Sequence, residues 1–213
     1  NLILNVYKDR SLKSALSTQL LYGEKFKIIK KFGKFIKIKT AYDNYFGYVK
    51  NKKFKKDFTP THKISKLSAN LYSKPNQKFK LKKKISFCSL IKIKDKKKKF
   101  FNFDKYWINK KDVLPIKKTN LIFSKIKIFR NIKYKWGGNS FQGIDCSALV
   151  QIFYKFNNKF CPRDTKDQMK YFRKNVKLNK IGKNNLIFWK GHVAICLSNK
   201  DLIHAYGPKK KVI

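Results

Sequence analysis

Apolar positions in the first 116 residues fall in short runs that alternate with lysine. Phe26–Ile29, Phe35–Lys39 and Phe46–Val49 carry β-branched and aromatic residues at a period near two, the pattern of a half-buried strand. Turn signals at Tyr22–Glu24, Phe32–Lys34 and Asp43–Asn44 separate them. Strands at a spacing of about 8–12 residues predict small all-β barrels rather than βαβ units. The pattern then restarts. Ala69-Asn70-Leu71-Tyr72-Ser73-Lys74-Pro75 echoes Leu4-Asn5-Val6-Tyr7-Lys8-Asp9-Arg10, and Tyr106-Trp107-Ile108 stands where Phe46-Gly47-Tyr48-Val49 stands in the first copy. Two divergent copies, residues 1–60 and 61–116, are predicted to meet near the Thr59-Pro60-Thr61 turn.

Beyond Pro115 the texture changes, and residues 117–213 read as a separate α+β domain. Asn120 to Arg130 sets Leu121, Ile122, Ile126 and Phe129 on one face and predicts a helix with Asn120 as N-cap. After the Gly137-Gly138 turn, Cys146, Leu149, Val150 and Phe153 follow i, i+3, i+4, i+7, so a second helix starts at Cys146 and ends at Asn157-Asn158. Leu186–Trp189, His192–Leu197 and Leu202–Tyr206 read as strands, the last two joined by a Ser198–Asp201 turn.

Composition narrows the function classes. Of 213 residues, 54 are Lys or Arg and 11 Asp or Glu, a formal charge of +43, while 42% are apolar and 15% aromatic, enough for a core. No stretch approaches the roughly 18 apolar residues of a membrane helix, so membrane insertion is not expected. Such charge is the usual footprint of nucleic-acid binding. Yet only four of the basic residues are Arg, the preferred fork for phosphates and bases. Lys, Asn, Ile, Phe, Tyr and Met, all with A/T-rich codons, supply 121 of the 213 residues. The lysines are scattered, with one dense run at Asp95–Lys99. Compositional drift accounts for this charge, and no specific nucleic-acid partner is expected; tight, sequence-independent DNA binding at about 0.15 M salt would indicate otherwise. Cys88, Cys146, Cys161 and Cys196 form no CxxC pair and have no His at zinc spacing, so neither metal nor cofactor is expected.

Two of the three histidines, His192 and His204, lie in the same last third as Cys146. Cysteine is a nucleophile as thiolate, and a helix N-terminus favours that anion through its unpaired N–H groups. The first-turn N–H of Cys146 is also a candidate oxyanion donor. His192 begins one strand and His204 lies on the strand paired with it, so the second imidazole can hold the first in one tautomer. A lone cysteine at a helix start is more often a small buried residue, and a lone strand histidine is usually structural. The order helix-start Cys, strand His, next-strand His shifts the balance to catalysis. Cys88, Cys161 and Cys196 lack that setting and read as structural.

Five ordered motifs carry a resemblance. They are Tyr134-Lys135-Trp136-Gly137-Gly138; Gly143-Ile144-Asp145-Cys146-Ser147-Ala148-Leu149-Val150; Cys161-Pro162-Arg163-Asp164-Thr165 with Gln168; Leu186-Ile187-Phe188-Trp189-Lys190-Gly191-His192-Val193-Ala194-Ile195; and Ile203-His204-Ala205. Together they resemble the NlpC-type cell-wall cysteine peptidases, a circularly permuted papain-like fold, and the two N-terminal copies resemble the bacterial SH3-type domains that precede it in muropeptide-cleaving members. The resemblance implies a multidomain chain: two SH3-like barrels followed by an α+β papain-like domain. It implies Cys146 as nucleophile, His192 as general base, His204 as orienting residue and the Tyr134 hydroxyl as an oxyanion donor. Trp136, Asp145, Ser147 and Thr165 match positions that shape the acyl-side pocket, with an acidic residue there to receive the substrate's free amine. Arg163 either touches a substrate carboxylate or pairs with Asp164, and the pairing is favoured. The implied reaction is hydrolysis of the γ-D-glutamyl–diamino acid amide in peptidoglycan stem peptides with a free N-terminal L-alanine, by a monomeric bacterial enzyme.

Three departures qualify it. Asn184-Asn185 replaces the usual Gly-Asp, Ala148 and Ala194 replace common glycines, and the closing strand is expected to continue past Ile213. The changed turn leaves room for a second reading, a muropeptide-binding protein without turnover on the same scaffold. Glu24, the single Glu, sits in a Gly-Glu-Lys turn and reads as structural. With no leader ahead of Asn1 the architecture implies a cytoplasmic recycling enzyme; with one, a periplasmic remodelling enzyme.

Overall fold

Alternation in the N-terminal stretch becomes strands, most regularly in Phe35–Thr40, where aliphatics face in, whereas Phe26–Phe32 leaves Ile28 and Ile29 exposed. In the computed structural model, which describes residues 2–54 and 57–213, β1 (Ile3–Tyr7), β2 (Leu16–Leu21), β3 (Phe26–Phe32), β4 (Phe35–Thr40) and β5 (Phe46–Lys50) form an antiparallel sheet in the order β2-β1-β5-β4-β3. Ile36 and Ile38 point inward from β4 and join Val6, Leu20 and Val49 in its core. Next come β6 (His62–Ile64), β7 (Ser68–Tyr72), β8 (Lys80–Ser86), β9 (Leu90–Ile91), β10 (Asp95–Lys97), β11 (Phe100–Phe103), β12 (Tyr106–Asn109) and β13 (Val113–Pro115). Their five-stranded sheet, β10-β11-β12-β7-β8, has the winding of the first: β7 and β8 stand for β1 and β2, and β10 to β12 for β3 to β5. The echoed segments occupy equivalent places, with Tyr7 opposite Tyr48 in one sheet and Tyr72 opposite Trp107 in the other.

These elements are SH3-like sheets, but among the described residues neither closes into the expected barrel. Alternation and turn spacing set the number of strands. Closure depends on non-local pairing between edge strands, which those signals do not encode. A third sheet, β13-β6-β9, completes this part of the chain. Compact units divide at Thr119/Asn120.

Gly23 marks where the two copies meet. Its φ is +85°, and a Cβ there would lie 2.2 Å from the Leu90 carbonyl oxygen, whose own N–H donates to Tyr22 O at 2.8 Å. The Tyr22 ring meets Phe103 edge-on at 5.7 Å.

In the second unit, β14 (Asn139–Ser140) and β15 (Gly143–Ile144) form a hairpin leading into α1 (Cys146–Phe156). Next follow α2 (Thr165–Tyr171), β16 (Leu186–Trp189), β17 (His192–Cys196), β18 (Leu202–Ile203), β19 (Ala205–Tyr206) and β20 (Lys211–Val212), with sheets β16-β17-β18 and β19-β20. The inner face of α1 buries Leu149, Val150, Ile152, Phe153 and Phe156. No helix among the described residues is long and apolar enough to cross a membrane.

The helix expected over Asn120–Arg130 does not form. Those residues make turns and a short 3-10 segment, Ile126–Phe129, and Leu121 is 75% exposed. The positions actually buried are Phe123, Ile126 and Phe129, spaced by three, which is the 3-10 period. Phe123 and Phe129 both pack on Phe153 of α1. Asn120 does not cap this segment; its N–H donates to the Asn157 side chain at 2.7 Å, beyond the C-terminus of α1. Tertiary packing overrides a helical pattern here.

Gly23→Ala and Gly33→Ala separate backbone strain from crowding. Gly33 has φ +54° and open space around its missing Cβ, so its substitution is expected to cost about 1–2 kcal/mol. Gly23→Ala should cost clearly more in urea unfolding, because the Leu90 backbone must also move; equal losses would refute the junction.

Candidate active site

Asp145 builds the site. Its backbone is extended (φ −97°, ψ 176°) and its side chain caps α1, Oδ1 accepting from Ala148 N–H at 2.8 Å. Oδ2 accepts from Gly137 N–H at 2.9 Å, which ties the Gly137-Gly138 turn to the helix start. Arg163 grips the same carboxylate with two bonds, Nη1 to Oδ1 at 3.0 Å and Nη2 to Oδ2 at 2.6 Å, and Nη1 also donates to Ser147 Oγ at 2.9 Å. Ser147 Oγ in turn donates to Asp145 Oδ1 at 3.2 Å. The sequence reading named Asp164 as the favoured partner of this guanidinium; the structure shows a bidentate pair with Asp145, the cap carboxylate, which the sequence reading did not name. Gln168 of α2 braces the other side, its amide donating to Ser147 O and Pro162 O, each at 2.9 Å.

This frame sets Cys146 at the first helical position, where its N–H has no intrahelical partner. The thiol is buried, and burial pushes its pKa up, with the Asp145 carboxylate adding to the rise. Backbone N–H groups of Val193 and Ser147 bond the sulfur and act in the opposite direction, as does the Thr165 hydroxyl, 3.8 Å away. Burial and the neighbouring carboxylate thus favour the thiol, while three donors favour its anion.

His192 enters from the β16–β17 hairpin. Trp189 and His192 are a cross-strand pair closed by Lys190-Gly191, with Gly191 at φ +74° in the second central position, where a type II turn favours glycine. The backbone of Val193, next in sequence to His192, interacts with the Cys146 sulfur, so the start of β17 lies against the start of α1. His192 Nε2 lies 2.7 Å from His204 Nδ1, so the second imidazole engages one ring nitrogen of the first. Burial lowers the pKa of His192, and the neighbouring His204 lowers it further; burial also lowers that of His204. His204 breaks the strand expected over Leu202–Tyr206: it lies between β18 and β19, and its backbone exchanges both bonds with Ile213, at 3.0 and 3.1 Å.

Tyr134 completes the ring of donors. Burial, the Cys146 thiol and the Asp145 carboxylate push its pKa up to about 12, so the hydroxyl stays a neutral donor. Trp136 is 68% exposed on the turn that Asp145 holds. Eight of the nine sequence-predicted residues thus converge around the thiol: Cys146, His192, His204, Tyr134, Asp145, Ser147, Thr165 and Arg163. Trp189, whose ring lies 4.6 Å from that of His192, escaped the sequence reading. The two-residue turn before His192 was the available signal.

The Asn184-Asn185 departure keeps the turn intact. Asn184 takes the left-handed conformation open to glycine (φ 72°), and Asn185 Oδ1 accepts from Gly182 N–H at 2.7 Å. Both residues also pair with Cys196 at the end of β17, through Asn184 N–H and Asn185 O, each at 2.9 Å. The end of the strand that carries His192 is thereby anchored, so the changed turn by itself no longer argues for a scaffold without turnover. Glu24 likewise proves to be a turn clasp, accepting from Leu21 N–H at 2.7 Å.

Comparison with known proteins agrees with this geometry. Residues 131–213 match the NlpC/P60 family and residues 6–54 the bacterial dipeptidyl-peptidase Sh3 domain. The chain is 26% identical over 220 residues to the gamma-D-glutamyl-L-lysine dipeptidyl-peptidase of Bacillus subtilis, covering 90% of this chain and 73% of that protein. It is 36% identical over 72 residues to dipeptidyl-peptidase 6 of Lysinibacillus sphaericus, covering 34% of this chain and 27% of that protein. An NlpC/P60 family protein from Bacillus cereus shares the fold, with a TM-score of 0.77 at 24% identity over 93% of this chain and 76% of that one. Cys146 and the paired histidines thus fall within the stretch that matches the NlpC/P60 family, residues 131–213, and the stretch that matches a bacterial dipeptidyl-peptidase Sh3 domain, residues 6–54, lies ahead of it.

Proposed function

We propose that this protein hydrolyses the γ-D-glutamyl–diamino acid amide bond of peptidoglycan-derived peptides. The 2.7 Å His192–His204 bond, with the neighbouring Val193 N–H on the Cys146 sulfur, carries the reading. The name of the Bacillus subtilis relative supports the choice of bond.

Substrate carbonyl carbon meets the sulfur as His192 Nδ1 takes the thiol proton. The oxyanion is received by Cys146 N–H and the Tyr134 hydroxyl. His192 then protonates the leaving amine, a thioester forms, and the same nitrogen activates water for deacylation. Throughout, Nε2–H of His192 donates to Nδ1 of His204, so His204 stays neutral and fixes the ring. Because burial raises the thiol and lowers the imidazole, the proton moves when substrate arrives, and the pair rests uncharged. Asp145 acts as framework: its oxygens already accept from five donors, namely Gly137 N–H, Ser147 Oγ, Ala148 N–H and both Arg163 nitrogens. A free N-terminal L-alanine on the acyl side would place its amine near Trp136 and Thr165.

Incubated with L-Ala-γ-D-Glu-meso-diaminopimelate and its L-Lys counterpart, the wild type should release L-Ala-γ-D-Glu, seen by mass spectrometry. Cys146→Ala should release none, and His192→Ala should be slower by about 10²–10⁴-fold. N-acetylation of the substrate should slow cleavage if the free amine is read. Release undiminished in Cys146→Ala would end the mechanism.

Alkylation of Cys146 by iodoacetamide, followed by peptide mapping, should rise with pH through one ionisation above the ordinary thiol range. A fast plateau reaching down to pH 5 would instead show a resting thiolate–imidazolium pair.

Arg163→Ala leaves the Asp145 carboxylate buried without its counter-ion and should cost about 3–5 kcal/mol in urea unfolding. An unchanged midpoint would mean the pair does not hold the helix start.

A further inference from the structure

The rings around His192 are not equivalent. His204 meets it edge-on, with centroids 4.9 Å apart and planes at 86°, and is itself stacked on Tyr206 at 4.9 Å and 29°. Tyr206 stands 6.2 Å from His192 at 80°. Trp189 covers a face: its centroid is 4.6 Å from that of His192 at 36°, and 6.0 Å from that of His204. The register makes this contact obligatory. Trp189 and His192 are the closing cross-strand pair of the β16–β17 hairpin, so both side chains leave the sheet on the same side.

We infer that Trp189 is a positioning residue for His192, its indole face holding the imidazole with Nδ1 toward Cys146 and favouring the imidazolium that lasts while the tetrahedral intermediate does. The inference rests on the reaction proposed above. A cation over an indole face is attracted by the ring quadrupole, and Trp is the strongest such partner. The other groups near His192 oppose or do not supply this stabilisation: His204 lowers its pKa, Tyr206 meets it edge-on, and Lys190 in the adjoining turn is a cation. Trp189 is 44% exposed, so it contributes to the core only in part and its strand partner gives its ring a task at the site.

The chain has three histidines, so imidazole ring signals in an NMR titration are few, and His62, packed on Phe101 in the other unit, is an internal reference. The His192–His204 pair is read as one macroscopic titration. In full-length Trp189→Leu the midpoint of that pair should fall by about 0.4–1.5 pH units, with Trp189→Phe between wild type and Leu. On the γ-D-glutamyl substrate, kcat should fall by about 2–30-fold while KM stays within about twofold. If Trp189 merely shields the ring, its removal admits water and the midpoint rises. A rise, or no change, overturns the inference, provided that the His62 signal and the thermal melt match wild type. Where a leucine variant unfolds, Trp189→Phe carries the same sign. The titration needs no turnover, so a wild type that cleaves nothing sinks the reaction while leaving the ring contact tested on its own.

Discussion

The bidentate bond between Asp145 and Arg163 is the constraint on which the second unit depends. One carboxylate caps α1, holds the Gly137-Gly138 turn and pins the loop that precedes α2, so three segments distant in sequence meet at two oxygen atoms. Both partners are buried, and such a pair is tolerated only when every lone pair and N–H finds a partner. Ser147 and the two backbone N–H groups satisfy that condition. The arrangement also separates Cys146 from bulk water, and the raised thiol pKa is a direct consequence of the packing that fixes its position.

That environment decides how protons are handled. Thiol and imidazole each lose solvation, so both prefer the uncharged form. The 2.7 Å contact between two histidines allows one shared proton and resists a second, since two imidazolium rings at that separation repel. His204 owes its place to backbone bonds with Ile213 rather than to a continuous strand. A break in regular structure is what lets its ring turn toward His192.

A chain with a formal charge of +43 keeps this chemistry within a small, nearly neutral interior. In β4 the lysines project outward between buried Ile36 and Ile38, whereas Lys63 of β6 is buried. At the Asn184-Asn185 turn, backbone conformation and a side-chain acceptor together hold the loop. Asn184 adopts the left-handed backbone and Asn185 supplies the acceptor oxygen, so polar side chains of the right length preserve β17.

Period-two runs, the echo of Leu4–Arg10 in Ala69–Pro75, and the helix start at Asp145-Cys146 were legible because each is a local pattern with a local cause. Strand alternation, turn chemistry and N-capping act within a few residues. The placing of Cys146 at a helix start and of His192 at a strand start was legible for the same reason, aided by the motifs around them. Barrel closure, the 3-10 segment at Ile126–Phe129, the Arg163–Asp145 pair and the Trp189 ring on His192 were decided by tertiary structure. Each depends on which distant surface meets the residue: Phe153 for the 3-10 segment, the cap carboxylate for the guanidinium, and the hairpin register for the indole. Sequence determined the elements and the reactive groups, and only long-range packing determined which of them face one another.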